Sequence, residues 1–224
     1  MIKISNVYLA GFEPAIRGMR NPWLSWDKSD SFKITDPQYG DGSNPIIPPA
    51  EILAATHGFI IGPNDHDLAM RLCRGGSDEA KFRRMIFMWF DMDAPVYFWH
   101  DFDTYQVATA KNSEGQTRQI IDHAFTREDF SCDMLSNNGL YELDRKIARL
   151  NELRDTYLAD RTRENLYQIV QEIPRSHNQL RTICINYETA YGMYRARHNH
   201  TYQEFRDLCK FFESLPYSEF ITLA

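Results

Sequence analysis

The stretch FMWFDMDAPVYFWHDF, residues Phe87–Phe102, decides the fold of this chain. Its first part belongs to a longer segment, Lys81–Asp93, that is dense in Phe, Met, Ile and Trp. This apolar density predicts a buried strand. Pro95 follows, and Val96–Phe102 suits a buried helix with the proline at its first turn. The segment therefore predicts a strand that leads directly into a helix.

Elements on either side of this segment extend the pattern. Upstream, the sequence predicts a strand and two helices, at Lys3–Phe12, Glu13–Met19 and Asp65–Cys73. Downstream, the apolar periodicity predicts helices at Leu140–Leu158, Arg163–Ile173, Gln179–Ala196 and Tyr202–Ser214. We expect an α+β (mixed α/β) fold with a strand-containing N-terminal half and a helical C-terminal half. The length of 224 residues favours a single domain, 1–224, with a long irregular loop at about 21–50.

Composition excludes several classes of function. The formal net charge of −6 argues against binding duplex nucleic acid, because that affinity comes mainly from neutralising phosphates. No apolar run approaches the roughly 20 residues of a membrane span, and no signal peptide is visible, so we expect a cytoplasmic protein without a membrane partner. The cysteines form no C-x-x-C pair, which favours buried free thiols. His198 and His200 lack a carboxylate at a diagnostic spacing, so no metal site is predicted.

Three segments concentrate polar side chains that a core does not need. In the first, Arg71–Arg84, basic residues including Arg83 and Arg84 surround Gly75-Gly76-Ser77. Glycine amides beside arginines are typical of a phosphate cradle, and a solvated charged face is the alternative.

In the second segment, Trp99–Arg118, hydrogen-bonding residues follow the apolar run, and the apolar residues no longer recur with a regular helix or strand period. It places Thr109, Asn112, Ser113, Glu114 and Gln116 within eight positions, which resembles a ligand-facing wall. A simple polar loop explains these residues nearly as well.

The third segment, Asn186–Arg206, carries Arg195, Arg197, His198 and His200 at the end of a predicted helix. Cations at a helix end are favoured by the helix dipole, which is one explanation. The other is recognition of an anionic or carbonyl-rich ligand, because arginine offers paired donors.

The order and spacing of these segments resemble the flavin-dependent thymidylate synthases (ThyX), which methylate deoxyuridine monophosphate using FAD. That family has an apolar strand, an A-P pair, an apolar helix, then R-H-R, seven residues and Ser. Here Ala94-Pro95 follows the predicted strand, and Asp103-Thr104-Tyr105 with seven further residues precedes Ser113. Asn186 and Arg197 have the family's separation of eleven positions, and His200–Arg206 resembles its final H-x-x-x-E-I-R. The resemblance covers roughly residues 66–206, and this stretch resembles phage-type relatives of the family even more strongly.

The resemblance implies roles for particular residues. Ser113 and Arg197 would be the catalytic pair, the serine positioning the nucleotide and the arginine binding the pyrimidine edge or the phosphate. Substrate binding would also involve Arg195 and Gln116. The residues implied to hold the FAD cofactor are Arg83, Arg84, Tyr105, Thr109, Asn112, Asn186 and His200. Folate and NADPH are implied as co-substrates, a small-molecule nucleotide as partner, and a homo-oligomer, the family's tetramer, as the assembly.

The chain departs from the family where charge matters most. R-H-R, whose cations lie by the flavin in the family, is Asp103-Thr104-Tyr105 here, and a family arginine is replaced by Glu188. If the alignment with the family is shifted by one residue, Val107-Ala108-Thr109 matches the family's apolar-Ala-Ser. In that alignment too, the two arginines of R-H-R have no counterpart in this chain. The lost positive charge disfavours an anionic reduced flavin unless another cation substitutes. The candidates for that cation are Arg83, Arg84 and His100.

Two functions follow from these observations. The first is flavin-dependent one-carbon transfer to a pyrimidine deoxynucleotide such as dUMP, without an enzymatic nucleophile attacking the base. The second is a non-catalytic nucleotide-binding or structural protein that kept the fold and lost the flavin chemistry, which the altered R-H-R favours. A helical interaction module with an accidental resemblance is a third possibility, and a monomeric state would favour it.

Overall fold

A computed structural model describes residues 2–34 and 50–223 of the chain. The elements of its first part are β1 (Lys3–Ala10), α1 (Phe12–Arg20), β2 (Phe32–Lys33), α2 (Ala50–Ala55), β3 (Phe59–Ile60), α3 (Pro63–Arg74), β4 (Phe87–Pro95) and α4 (Val96–Phe102). Those that follow are β5 (Thr109–Ser113), α5 (Gln116–Asp122), α6 (Asn137–Ala159), α7 (Arg163–Glu172), β6 (Asn178–Asn186), α8 (Tyr187–Arg197), α9 (Gln203–Glu213) and α10 (Glu219–Thr222). Short 3-10 turns lie at Asn21–Trp23, Trp26–Lys28, Lys81–Met85 and Arg127–Asp129. The predicted mixed α/β fold class is confirmed.

Most predicted elements are present within a few residues of their predicted ends. Helix α4 has the predicted bounds, although Pro95 ends β4 and precedes the helix instead of lying in its first turn. Gly11 separates β1 from α1 with a φ of 99°, and a Cβ atom there would overlap the Met85 carbonyl oxygen. Glycine alone tolerates both the left-handed backbone and the close approach.

The predicted strand at Lys81–Asp93 is wrong in its first part. Lys81–Met85 forms a 3-10 turn, and the strand begins only at Phe87. Within this turn the neighbours Phe82 and Arg83 are both buried, and Arg84 and Met85 are both exposed, so burial does not alternate from residue to residue as a strand requires.

The predicted helix at Gln179–Ala196 is wrong up to residue 186, where the chain forms β6 before α8 begins. The β-branched residues Thr182, Ile183 and Ile185 favour a strand. Asn186 then caps α8, because its Oδ1 accepts a hydrogen bond from the Thr189 N–H at 2.9 Å. The C-terminal half therefore contains a strand in addition to its helices.

The longer strands form one sheet in the order β1-β4-β6-β5. The two short strands β2 and β3 pair antiparallel in a second sheet, with Phe32 opposite Ile60. Strand β4 has an interior position, and every second side chain, including Met88, Phe90 and Met92, is fully buried. One face of β4 therefore carries a large apolar core surface.

The chain divides into two compact units. The first comprises Met1–Ser5, Asp91–Thr104 and Lys111–Thr182. Its helices α6 and α7 pack together, and Ser136 and Thr162 cap their N-termini through side-chain oxygens. The core around these helices consists of Ile120, Phe125, Phe130, Leu143, Leu150, Leu153, Tyr157 and Ile169.

The second unit comprises Asn6–Phe90, Tyr105–Ala110 and Ile183–Ala224. Its core contains α8, against which α9 and α10 pack. Tyr187 is fully buried there and donates a hydrogen bond to the Pro216 carbonyl oxygen at 2.7 Å, and burial raises the pKa of its hydroxyl well above the ordinary value. The aromatic residues buried in this core include Phe12, Phe82, Phe90, Phe205, Phe212 and Phe220.

The loop predicted at about 21–50 is described only in part, because residues 35–49 lie outside the described residues. Its described part contains two 3-10 turns and β2, and α2 begins at its end. Within the described residues, no helix is both long and apolar enough to cross a membrane. All four cysteines are free, and burial raises the pKa of the Cys73 and Cys209 thiols to about 11 and about 12.

Candidate functional site

Helix α8 is held at both ends by the segment Tyr105–Ala110 of the same unit. Near its start, the Thr189 hydroxyl donates to the Val107 carbonyl oxygen at 3.1 Å. At its end, Arg197 Nε donates to the Tyr105 hydroxyl oxygen at 2.9 Å. Asn186, which is 4% exposed, anchors the helix start by donating from Nδ2 to the Arg84 carbonyl oxygen at 3.2 Å. The position of the Arg197 guanidinium is therefore fixed by the fold.

Arg197 is a half-buried cation between aromatic rings. Its guanidinium carbon lies 4.8 Å from the centre of the Phe205 ring and 5.7 Å from that of the Tyr105 ring. In the part of the chain that the structure describes, no carboxylate forms an ion pair with Arg197 and no group accepts a hydrogen bond from its Nη2 atom. A half-buried cation without a counter-ion favours the binding of an anion.

His200 lies directly beside this guanidinium. Its Nε2 atom is 2.8 Å from Arg197 Nη1, and its Nδ1 atom is 3.1 Å from the Tyr202 backbone nitrogen. A neutral imidazole accepts at only one nitrogen, so one of these contacts brings two donors together. An oxyanion placed beside them would accept hydrogen bonds from both side chains.

Arg195 and His198, at the same end of the helix, instead contact tyrosines of α8. Arg195 is exposed, with Nη1 3.4 Å from the hydroxyl of Tyr191. The His198 ring stacks on that of Tyr194 at an interplanar angle of 17°, and its Nδ1 atom is 3.0 Å from the Tyr194 carbonyl oxygen. Among the described residues no group of three potential ligands is placed to hold a metal ion.

Arg83, predicted to hold the cofactor, lies in the core of the second unit with no exposed surface. Its Nε atom is 2.8 Å from the Glu188 carboxylate, and its guanidinium carbon is 3.9 Å from the centre of the Tyr191 ring. Its Nη1 atom donates to the Phe220 carbonyl oxygen at 3.2 Å. Glu188, which replaces a family arginine, is thus the counter-ion of a buried arginine. Arg84 is exposed.

In the first unit, Asp103 is surrounded by two cations. Lys111 Nζ is 2.7 Å from Asp103 Oδ1, and Arg181 Nη1 is 2.9 Å from the same atom. The Arg181 guanidinium lies 4.4 Å from the centre of the Trp99 ring, and its Nε atom donates to the Gln179 side-chain oxygen at 3.0 Å. Partial burial alone would raise the pKa of Asp103, but the hydrogen bonds and charges of both cations outweigh it and hold this pKa below its ordinary value.

The formal charge of this cluster is therefore positive, although its first member is an aspartate. Lys111 and Arg181 were not predicted as site residues from the sequence. Lys111 lies on β5 and Arg181 on β6, which are neighbours in the sheet. The sequence offered one signal for these two cations: the aspartate at the R-H-R position. If the local charge is to stay positive with an aspartate in place of an arginine, other cations must lie nearby.

The remaining predicted site residues lie along and after β5. Asn112 and Ser113 are exposed, and Gln116 is the first residue of α5. The Thr109 hydroxyl, in the second unit, donates to the Val107 carbonyl oxygen at 3.2 Å. Beside Ser113, Glu114 accepts from the Leu180 N–H at 2.6 Å, and burial raises the pKa of its carboxyl above the ordinary value. The structure thus groups Arg197 with Tyr105 and His200, and it pairs Arg83 with Glu188.

Comparison with solved structures identifies the class of fold. No family model matches the sequence, and no curated protein matches it. A structure of thymidylate synthase X (ThyX) from Helicobacter pylori with FAD and dUMP matches with a TM-score of 0.66 and 14% identity, over 99% of this chain and 97% of that one. A second structure of that enzyme with FAD and dUMP matches with a TM-score of 0.61 and 14% identity, over 97% of each chain.

A third similar structure belongs to a methylase. The UMP/dUMP methylase PolB from Streptomyces cacaoi, bound with 5-Br dUMP, matches with a TM-score of 0.57 and 10% identity, over 100% of this chain and 94% of that one. The chain therefore has the ThyX fold, which confirms the resemblance inferred from its motifs as a resemblance of fold.

Proposed function

We propose that this protein binds a pyrimidine deoxynucleotide such as dUMP and transfers a one-carbon unit to its base. The observation that carries the proposal is Arg197, a half-buried guanidinium held by Tyr105, Phe205 and His200 without a counter-ion among the described residues. The phosphate of a nucleotide supplies the missing negative charge and accepts from both Arg197 and His200. The similar ThyX and PolB structures contain dUMP or its 5-bromo derivative, which supports this choice of ligand.

The protein's own residues would act by binding and orientation. Arg197 has its guanidinium plane restrained by the Phe205 ring and one donor committed to Tyr105, so little side-chain entropy is lost when the phosphate binds. His200, fixed through the Tyr202 N–H, would donate a second hydrogen bond to the same phosphate. The predicted roles of Ser113, Arg195, Gln116, Thr109 and Asn112 stay predictions.

FAD is the cofactor that we propose for the reaction. The charge of the donor set in the first unit fits it, because Lys111 and Arg181 together outweigh the negative charge of Asp103. These two cations would hold the flavin, and neither was among the predicted substitutes for R-H-R. Bound flavin would supply the reducing equivalents that convert a transferred one-carbon unit into a methyl group. Folate as the one-carbon donor and NADPH as the reductant belong to the same proposal.

Calorimetric titration of dUMP into the Arg197→Ala variant tests the nucleotide site. We expect affinity to fall at least about tenfold, since a hydrogen bond to a charged group contributes roughly 1.5–3 kcal/mol. The matched control is Lys210→Ala, which removes an exposed cation from α9 and should leave affinity unchanged. Equal affinity of the wild type and Arg197→Ala, with both folded, would refute the proposal.

A second candidate function is a nucleotide-binding protein without flavin chemistry. The carboxylate of Asp103 favours it, because this group stands where the family has an arginine and lowers the local positive charge. The visible absorption spectrum after FAD addition and removal of unbound flavin separates the two candidates. Retained flavin supports the enzyme, whereas a colourless protein that still binds dUMP supports the second function.

A homo-oligomeric assembly and a cytoplasmic location are also proposed. Both rest on the resemblance and on the sequence.

A further inference from the structure

A cavity of about 730 Å³ opens in the second unit, between the end of α1 with the turns that follow it and one face of α3. The described residues that line it do not include Arg197, Tyr105, Phe205 or His200. Its size falls in the range of roughly 300–1,000 Å³ that small-molecule sites occupy. The cavity is thus a second candidate site, and it does not depend on the function proposed above.

The walls of the cavity are tied together by buried polar groups. Arg20, which is 5% exposed and lines the cavity, forms an ion pair through Nε with the buried Asp65. The other carboxylate oxygen of Asp65 accepts from the hydroxyls of Ser29 and Ser31, both at 2.6 Å. Asp30 caps α3 by accepting from the backbone N–H groups of residues 64 and 65. The first donors of α3 are therefore already used, and any attraction for an anion comes from side chains.

The lining carries more positive than negative charge. Arg20, Lys28 and Arg71 are cationic, and Asp67 is the acidic residue among the described lining. Arg71 and Asp67 are 3.1 Å apart, but both are more than 60% exposed, so their mutual attraction is weak. In the described part of the chain, no group accepts a hydrogen bond from Arg20 Nη2. The charge of Arg20 is paired with Asp65, so at the cavity wall Arg20 offers a hydrogen-bond donor to an oxyanion, and Lys28 and Arg71 supply positive charge.

The lining also offers a surface for a flat ring. Trp23 is 78% exposed at the cavity, and the partly buried Leu68 adds apolar surface. Stacking on an indole tolerates any flat ring, because every such ring has a π face. A single phosphate ion would leave most of the volume empty, whereas a compound of nucleotide size would fill much more of it.

We propose that this cavity binds a phosphorylated compound with a flat ring, of the size of a nucleotide. The phosphate groups contact Arg20, Lys28 and Arg71, and the ring stacks on Trp23.

The test is a calorimetric titration of ADP, inorganic pyrophosphate and adenosine into the full chain at low salt. We expect ADP to bind with a Kd below about 1 mM and more tightly than pyrophosphate or adenosine, since only ADP uses both the cations and the ring. Lys28→Glu and Arg71→Glu should each weaken ADP binding at least about tenfold, which corresponds to 1.4 kcal/mol or more. Both side chains are exposed, so these changes should leave the fold intact.

Two controls make the outcome specific. Arg17→Glu changes the net charge equally at an exposed position on α1 outside the described lining, and should bind ADP like the wild type. Arg197→Ala should also bind ADP normally, which separates this site from the proposed dUMP site. The proposal fails if the wild type does not bind ADP, if Lys28→Glu and Arg71→Glu bind it normally, or if Arg197→Ala abolishes binding.

Discussion

At the scale of single residues, two ion pairs join side chains that are far apart in the sequence. Asp103 is paired with Arg181, 78 positions away, and Arg83 with Glu188. Each pair involves a position at which the chain departs from the ThyX motifs. The departures are therefore accompanied by compensating charges, and the local sequence does not reveal those partners.

Asp103 should contribute to stability in a pH-dependent way. Its pKa is lowered in the folded protein, since the hydrogen bonds of Lys111 and Arg181 outweigh the effect of burial. The stabilisation is present above the unfolded pKa of about 3.9 and is lost as the pH falls through the lower folded value. We expect Asp103→Asn to lose less stability than the wild type between pH about 5 and 2, measured by urea denaturation at each pH. Parallel pH profiles for the two proteins would contradict this expectation.

The buried pair of Arg83 and Glu188 should be sensitive to the loss of either partner. Glu188→Gln leaves the Arg83 charge buried without a counter-ion, so we expect the free energy of unfolding to fall by about 3 kcal/mol. The matched control is Glu142→Gln, which breaks an exposed pair with Arg145 and should cost less than about 0.5 kcal/mol. Chemical denaturation measures both, and similar losses in the two variants would argue against a buried ion pair.

At the scale of elements, the start of α3 and the middle of α8 contain glycines in opposite surroundings. At Gly62, a Cβ atom would overlap the backbone oxygen and the carboxyl group of Asp30, the residue that caps α3. At Gly192, within α8, a Cβ atom would meet nothing within 4 Å among the described residues. Gly62 is therefore constrained by close packing, and Gly192 is not.

We expect opposite effects from the same substitution at these two glycines. Gly62→Ala should destabilise the protein by about 1–3 kcal/mol, because it displaces Asp30. Gly192→Ala should stabilise it by about 0.5–1 kcal/mol, because alanine is the better helix former. Thermal denaturation provides the comparison, and a destabilised Gly192→Ala would show that this face of α8 is covered.

At the scale of the whole molecule, we expect a homotetramer. The resemblance to the ThyX family implies it, and exposed apolar side chains such as Val107 (85% exposed) and Met134 (82% exposed) offer surface for subunit contacts. Light scattering coupled to size exclusion should give four times the mass of the chain at micromolar concentration. A monomer under these conditions would contradict the predicted assembly and weaken the proposed enzyme function.

The sequence by itself determined the elements whose signals are local. The apolar density of Phe87–Phe102 predicted β4 and α4, and the three- and four-residue periodicity after Leu140 predicted α6. The spacing of Asn186 and Arg197 contributed to the resemblance to the ThyX family, and in the structure these two residues mark the start and the end of a single helix. Such signals are readable because each depends only on residues within a few turns of one another.

Only the tertiary structure decided which groups meet. It placed Arg83 in the core opposite Glu188, brought Lys111 and Arg181 to Asp103, and left Arg197 without a counter-ion among the described residues. It also made residues 178–186 a strand, because that segment gains its hydrogen bonds from neighbouring strands of the sheet and not from its own backbone. These cases share a physical reason: hydrogen bonds between strands and pairs of charges join residues on different elements of the fold, and the local sequence pattern does not record which elements will meet.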